Sequence, residues 1–223
     1  VSVNDNDYGH IFRFINKNCD QVMKLTRVAM VTKCFELISV MLKTSDLSSS
    51  ASDRELELER LFVFALIWTI GGMFEEEDRA KFDQYLRTLS TALPRLTDPD
   101  DTVFMYNINR ETMEWEKWVA PSWQYPTYSE ELDFSSLLVP TVDSTRALYL
   151  MNCFQTLKLP VLLAGGSGTS KTSTVEMFFD NLDKDKILIK RVNFSFATTP
   201  SMFQNAIDGE LDKRGGKNFG PPS

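Results

Sequence analysis

Residues 160–172 read PVLLAGGSGTSKT: an apolar run, a glycine-rich turn, then Lys171-Thr172. Pro160–Ala164 has the continuous apolar character of a strand buried on both faces of a parallel sheet. The turn and the Lys-Thr pair after it fit the phosphate-binding loop, G-x-x-x-x-G-K-[ST], set between a strand and a helix. Gly165, Gly166, Ser167, Gly168, Thr169 and Ser170 fill the loop positions. Glycines let the backbone curl until successive N–H groups point inward at phosphate oxygens. A helix opening at Lys171 adds its positive N-terminal end. By this pattern Lys171 reaches the β- and γ-phosphates of ATP, or the β-phosphate of ADP, and the Thr172 hydroxyl ligates Mg²⁺. Ser170 stands where the motif places Gly. A Cβ there narrows the approach to the phosphates or restricts the backbone.

Beyond the loop the pattern predicts a helix over 171–182 and a strand over Ile187–Phe194. Thr199 as N-cap and Pro200 at the first helical position then open a helix to about Lys213. Before the loop, Leu137–Pro140 reads as extended, and Asp143 or Ser144 caps a helix to about Leu157. Helix, strand, loop, helix, strand, helix is the beginning of a doubly wound α/β sheet. Hydrolysis needs a further apolar strand ending in acidic residues, and none follows Thr172. The expectation is a chain that cradles a nucleotide without cleaving it alone. Its half-sheet lacks partner strands, which predicts aggregation of the isolated segment.

The N-terminal part reads differently. Apolar residues at spacings of three and four predict a helix over 11–43, broken by the serine-rich stretch 43–52. A second helix starts with Asp53 as N-cap and stops near Gly71-Gly72; a third spans Glu75–Leu89. The acidic run Glu75–Asp78 reads as a solvated face placed well for the helix dipole. Val103–Tyr106 and Met113–Val119 predict a small hairpin. Trp115, Trp118, Trp123, Tyr125 and Tyr128 read as a packed aromatic stretch, since few Lys or Arg lie nearby to hold a nucleic-acid backbone. The apolar run Leu61–Ile70 is half the roughly 20 residues a membrane span needs.

Charge and cysteines narrow the function classes. The 223 residues carry 24 Lys+Arg and 31 Asp+Glu, a net of −7, with the acidity concentrated in residues 1–134. That argues against nucleic acid as partner. Cys19, Cys34 and Cys153 form no metal or disulfide spacing and read as buried apolar thiols. His10 reads as solvated. The opening VSVNDNDYGH shows no signal peptide and no initiating Met, which points to a fragment. A length of one and a half domains fits that expectation.

Several blocks together resemble the dynein heavy chains, and among them the axonemal type. They are LFVFALIWTIGG (61–72), RAKFDQYLR (79–87), LLVPTVDSTRALYL (137–150), PVLLAGGSGTSKT (160–172), NFSFATTPSMFQNAID (193–208) and KNFGPP (217–222). Their order is similar to the junction of the second and third AAA+ modules of the motor ring. The resemblance implies that residues 1–134 end the second module, as a helical lid with a small β extension. Residues 135–223 would begin the third, an incomplete parallel-sheet phosphate-loop domain. It further implies that Leu138, Val139 and Pro140 pack near the adenine, and that the site regulates a minus-end-directed microtubule motor in cilia or flagella. Implied partners are the neighbouring AAA+ modules, dynein intermediate and light chains, and microtubules, with no membrane. Two alternatives stand beside this: a non-catalytic segment that holds nucleotide structurally, and a module of another large AAA+ ATPase.

Overall fold

A computed structural model describes residues 7–124, 137–183, 185–216 and 218–220. Tyr125, Tyr128, the expected module boundary at 134/135 and Pro221-Pro222 lie outside the described residues. The chain divides into two compact units, residues 1–174 and 175–223.

In the first unit, α1 (Asp7–Asn18), α2 (Arg27–Thr44), α3 (Ala51–Thr69) and α4 (Glu76–Leu89) form a helical layer. The single helix expected over 11–43 is two. Between them the chain turns outward to bond elsewhere: Val22 N–H donates to the Met73 carbonyl at 3.0 Å, and Asp20 N–H to the Asp78 carboxylate at 2.7 Å. Thr26 then caps α2 by accepting from Ala29 N–H. The cap of α3 is Ser50, with Asp53 inside the first turn, so the expected cap is three residues late. Asp78, read as part of a solvated face, is held below its ordinary carboxylate value by Lys81 and by Asp20 N–H.

The core centres on α3. Leu61, Phe64 and Ile67 are fully buried with Leu37 and Met41 of α2 and Phe82 of α4. Gly71, in a short 3₁₀ turn after α3, lets the Phe104 and Phe82 rings close over the backbone: a Cβ there would sit 2.6 Å from Phe104 Cζ. The expected hairpin forms with shorter strands, β1 (Tyr106–Ile108) and β2 (Trp115–Lys117), antiparallel with Ile108 opposite Trp115. Val103–Met105 is a 3₁₀ turn rather than strand, because Val103 N–H is drawn to the buried Asp83 carboxylate at 2.8 Å. Trp118 is buried and stacks edge-on against Trp68, and Trp115 donates its indole N–H to the Ala92 carbonyl at 2.7 Å. Trp115 and Trp118 are core packing, whereas Trp123 is exposed, against the expectation of a packed stretch.

Helix α5 (Val142–Thr156) also belongs to this unit and packs on α2 and the hairpin. Its cap is Thr141 rather than Asp143 or Ser144. Thr141 and Ser144 satisfy each other's backbone N–H groups in a capping box, which places Ser144 at the third helical position. Tyr149 meets Phe64 and Trp118 edge-on and receives the Arg110 guanidinium on its ring at 4.8 Å. Cys34 and Cys153 are buried, as expected, while Cys19 is half-buried; burial pushes the Cys34 thiol up to about 11. His10 is exposed.

In the second unit, α7 (Pro200–Asp208) carries the expected Thr199 cap and leading proline but ends five residues early. At Asp212 the chain turns into a hairpin, β3 (Asp212–Gly215) paired antiparallel with β4 (Asn218–Gly220). Neither Pro160–Ala164 nor Ile187–Phe194 pairs as a strand among the described residues. A parallel strand is stabilised by neighbours along both edges and helices on both faces, and Val161, Leu162, Leu188 and Phe194 remain exposed. The architecture is thus a helical layer with a small hairpin, followed by part of an α/β phosphate-loop domain.

Candidate nucleotide-binding site

The loop closes over 165–170 and passes directly into α6 (Lys171–Asp180). Gly168 adopts φ +78° and Ser170 φ +56°, so two left-handed residues bend the chain back on itself. Glycine takes that conformation freely; an L-residue with a Cβ does not. The restriction expected at Ser170 is therefore real and sits in the backbone. Space lies open where Gly166 and Gly168 would carry side chains, whereas a Cβ at Gly165 would come 3.2 Å from the Thr169 hydroxyl.

Inside the loop three groups tie together. Thr169 Oγ1 donates to the Gly166 carbonyl at 2.9 Å and accepts from Lys171 Nζ at 3.0 Å. Lys171 Nζ also donates to the Gly166 carbonyl. The lysine thus lies along the inner side of the loop with its ammonium at the turn. Thr172 and the residues from Gly165 to Ser170 are exposed. The Thr172 hydroxyl is available as one oxygen ligand for Mg²⁺, a cation that keeps phosphate oxygens and waters as its other ligands.

Thr169, one of the expected loop residues, is the hinge of the internal hydrogen bonds just described. One residue outside the motif joins them. Buried Thr174 donates both its backbone N–H and its hydroxyl to the Ser170 carbonyl, each at 2.9 Å, and so fixes the loop to the first turn of α6. Only its place one helical turn after Ser170 hinted at this. Leu138, Val139 and Pro140 lie on the extended entry to α5, with Val139 exposed, and no hydrogen bond joins them to the loop among the described residues. No cluster of three or more His, Cys, Asp or Glu is placed to hold a metal among the described residues. No described helix is long and apolar enough to cross a membrane.

The same chain, compared with known proteins, matches two dynein families in succession. Residues 4–120 match the dynein heavy chain AAA lid domain, and residues 126–223 match the P-loop containing dynein motor region. The chain belongs to the dynein heavy chain family. Among its relatives are the dynein gamma chain of the flagellar outer arm of Chlamydomonas reinhardtii, 33% identical over 214 residues, and the rat dynein axonemal heavy chain 5, 34% identical over 219. Human dynein axonemal heavy chain 8 is 32% identical over 216 residues. These alignments cover at least 95% of this chain but only 5% to 6% of each relative. The chain is a segment of a dynein motor region, lid first and phosphate loop second. A module of some other large AAA+ ATPase does not account for a dynein lid match over half of the sequence.

Proposed function

We propose that residues 165–172 bind the phosphates of ATP or ADP with Mg²⁺, at a regulatory site of an axonemal dynein heavy chain. The observation that carries this reading is the loop itself. Left-handed turns at Gly168 and Ser170 curl the backbone, and Lys171 Nζ lies within the curl at the start of α6. Backbone N–H groups from Gly166 to Thr172 supply directed donors, and the N-terminus of α6 supplies partial positive charge. On phosphate arrival Lys171 exchanges the Gly166 carbonyl and the Thr169 hydroxyl for phosphate oxygens. Mg²⁺, when bound, neutralises phosphate charge, and Thr172 contributes one hydroxyl to it.

In this reading residues 1–134 close the second AAA+ module and residues 135–223 open the third. Leu138, Val139 and Pro140 line the adenine. The whole heavy chain then works as a microtubule motor of the cilium or flagellum, with the neighbouring AAA+ modules and dynein intermediate and light chains as partners. The relatives named for flagellar and axonemal dyneins support the location. The test is Lys171→Ala in the full heavy chain. A photoreactive azido-ATP should lose its labelling of peptides from residues 137–172. Undiminished labelling there would sink the proposal.

A further inference from the structure

Met105 closes the 3₁₀ turn ahead of β1, and its backbone is fully engaged. Its N–H donates to the Thr102 carbonyl and its carbonyl accepts from Trp118 N–H, each at 2.9 Å. The side chain is not enclosed. Met30, Met41, Met113 and Met151 are buried, whereas Met105, 38% exposed, and Met202, 56%, are the exposed methionines among the described residues. Met105 also has a charged neighbour on its sulfur: Sδ accepts from Nη2 of Arg146, on α5, at 2.9 Å.

That guanidinium is short of acceptors. Its side chain is 11% exposed, and the one carboxylate it meets, Asp143, pairs through Nη1 at 2.8 Å while standing 89% exposed in water. Arg146 Nε is buried and has no hydrogen-bond partner among the described residues. Burial first, and after it the positive charge of Arg79, weigh against the Arg146 cation. A guanidinium carries five N–H donors, and a thioether sulfur is a weak acceptor. One donor therefore rests on sulfur and another on nothing. An oxygen carried by that sulfur would supply the missing acceptor, and hydrogen bonds from a charged donor are the strong class.

We propose that Met105 is an oxidation site whose sulfoxide is gripped by Arg146, latching the 3₁₀ turn to α5. The oxidant is hydrogen peroxide. A lone pair on Sδ attacks one peroxide oxygen, the O–O bond breaks, and hydroxide leaves with the bonding pair. That hydroxide takes the proton from the oxygen now on sulfur, giving the sulfoxide and one water. Sulfur loses two electrons and peroxide gains them; methionine sulfoxide reductase reverses the change. In a core, an oxygen added to methionine disrupts packing. Met105 is exposed and its turn is held through the backbone, so the new oxygen replaces a thioether contact and breaks no other bond of the turn.

The test uses the intact heavy chain, treated with dilute hydrogen peroxide and read by peptide mass spectrometry and hydrogen exchange. Met105 and Met202 should each gain one oxygen while the buried methionines stay reduced. Amides of residues 142–156 should then exchange about tenfold more slowly than in the reduced chain, the gain from one hydrogen bond to a charged donor. Met202→Leu should keep the slowing, and Met105→Leu should abolish it. In Arg146→Leu, compared with its own reduced form, oxidation of Met105 should bring no slowing. Met105 staying reduced while Met202 is fully oxidised, or exchange that is unchanged or faster after oxidation, would overturn the proposal. So would slowing that survives in Met105→Leu or Arg146→Leu.

Discussion

Ser170→Gly isolates the backbone of the phosphate loop from its chemistry. Ser170 adopts φ +56°, its hydroxyl makes no hydrogen bond among the described residues, and its carbonyl anchors Thr174 twice. Removing the Cβ leaves every one of those bonds in place. A left-handed residue with a Cβ carries roughly 1–2 kcal/mol of strain. Glycine gives back about 0.4–1 kcal/mol through its greater freedom when the loop is open. The net gain of roughly 0.5–1 kcal/mol raises the fraction of loops ready for phosphate, and apparent affinity rises with that fraction. At about 1.4 kcal/mol per decade, nucleotide binds about two- to fivefold more tightly. Titrating azido-ATP against labelling of the 137–172 peptides in the full heavy chain reads this at the site itself. Ser170→Ala keeps the Cβ and should match the parent. Ser170→Val, β-branched and stiffer at positive φ, should bind more weakly than either. Equal affinity for Gly, Ser and Val would refute the reasoning, since the Cβ would then have no bearing on the loop.

Two further predictions concern the helical layer. Gly71→Ala pushes a methyl into Phe104 and Phe82, both already buried. Overpacking of this kind costs roughly 1–3 kcal/mol, visible as faster proteolysis of residues 4–120, and Phe104→Leu in the same chain should restore part of the loss. The hairpin should respond to acid through Asp101, which accepts from Tyr106 Oη at 2.8 Å and from Thr97 Oγ1 at 3.0 Å and pairs with Lys117 at 2.8 Å. Lys117 first, then these other donors, holds the Asp101 carboxyl well below its ordinary value. A carboxyl whose folded value is depressed contributes stability above its unfolded value, about 3.9, and loses it as pH falls through the folded one. Hydrogen exchange of residues 97–117, corrected for intrinsic rate, should hold steady at neutral pH and rise below about pH 4. Asp101→Asn should flatten that rise; an unchanged acid limb would count against the network.

What the sequence disclosed was what is local. Helices α3 and α4 were readable because their apolar spacing and acidic first turns, with the glycine stop of α3, lie within a few residues of one another. Two of the misreadings share one cause. The break between α1 and α2 depends on Met73 and Asp78, more than fifty residues away. The 3₁₀ turn at Val103 depends on Asp83, twenty residues earlier. Helix propensity cannot register a carboxylate that only the fold delivers. The strands expected at Pro160–Ala164 and Ile187–Phe194 fail for the complementary reason. Their apolar runs announce burial between neighbours, and a run cannot say where the neighbours are.

The phosphate loop shows how far local information reaches. Its curl spans residues 165–172, and every bond that shapes it joins positions five residues apart or fewer: Thr169 to Gly166, Lys171 to Gly166 and Thr169, Thr174 to Ser170. A motif this compact is written out in full in the sequence, so the question of Ser170 arises from the residues alone and one torsion angle answers it. The attachment of α5 is the opposite case. Its cap, Thr141 with Ser144, is local, yet what holds it is Arg110 from the hairpin on Tyr149, and Tyr149 against Phe64 and Trp118. The block 137–150 that resembles dynein so closely therefore carries packing as well as any contact with a nucleotide. A substitution at Tyr149 strips its contacts with Phe64, Trp118 and Arg110 at once, whereas one at Val139, exposed on the way into α5, disturbs little of the fold. Weakened nucleotide labelling in a Val139 variant would therefore speak for the adenine site, and the same loss in a Tyr149 variant for the packing of α5.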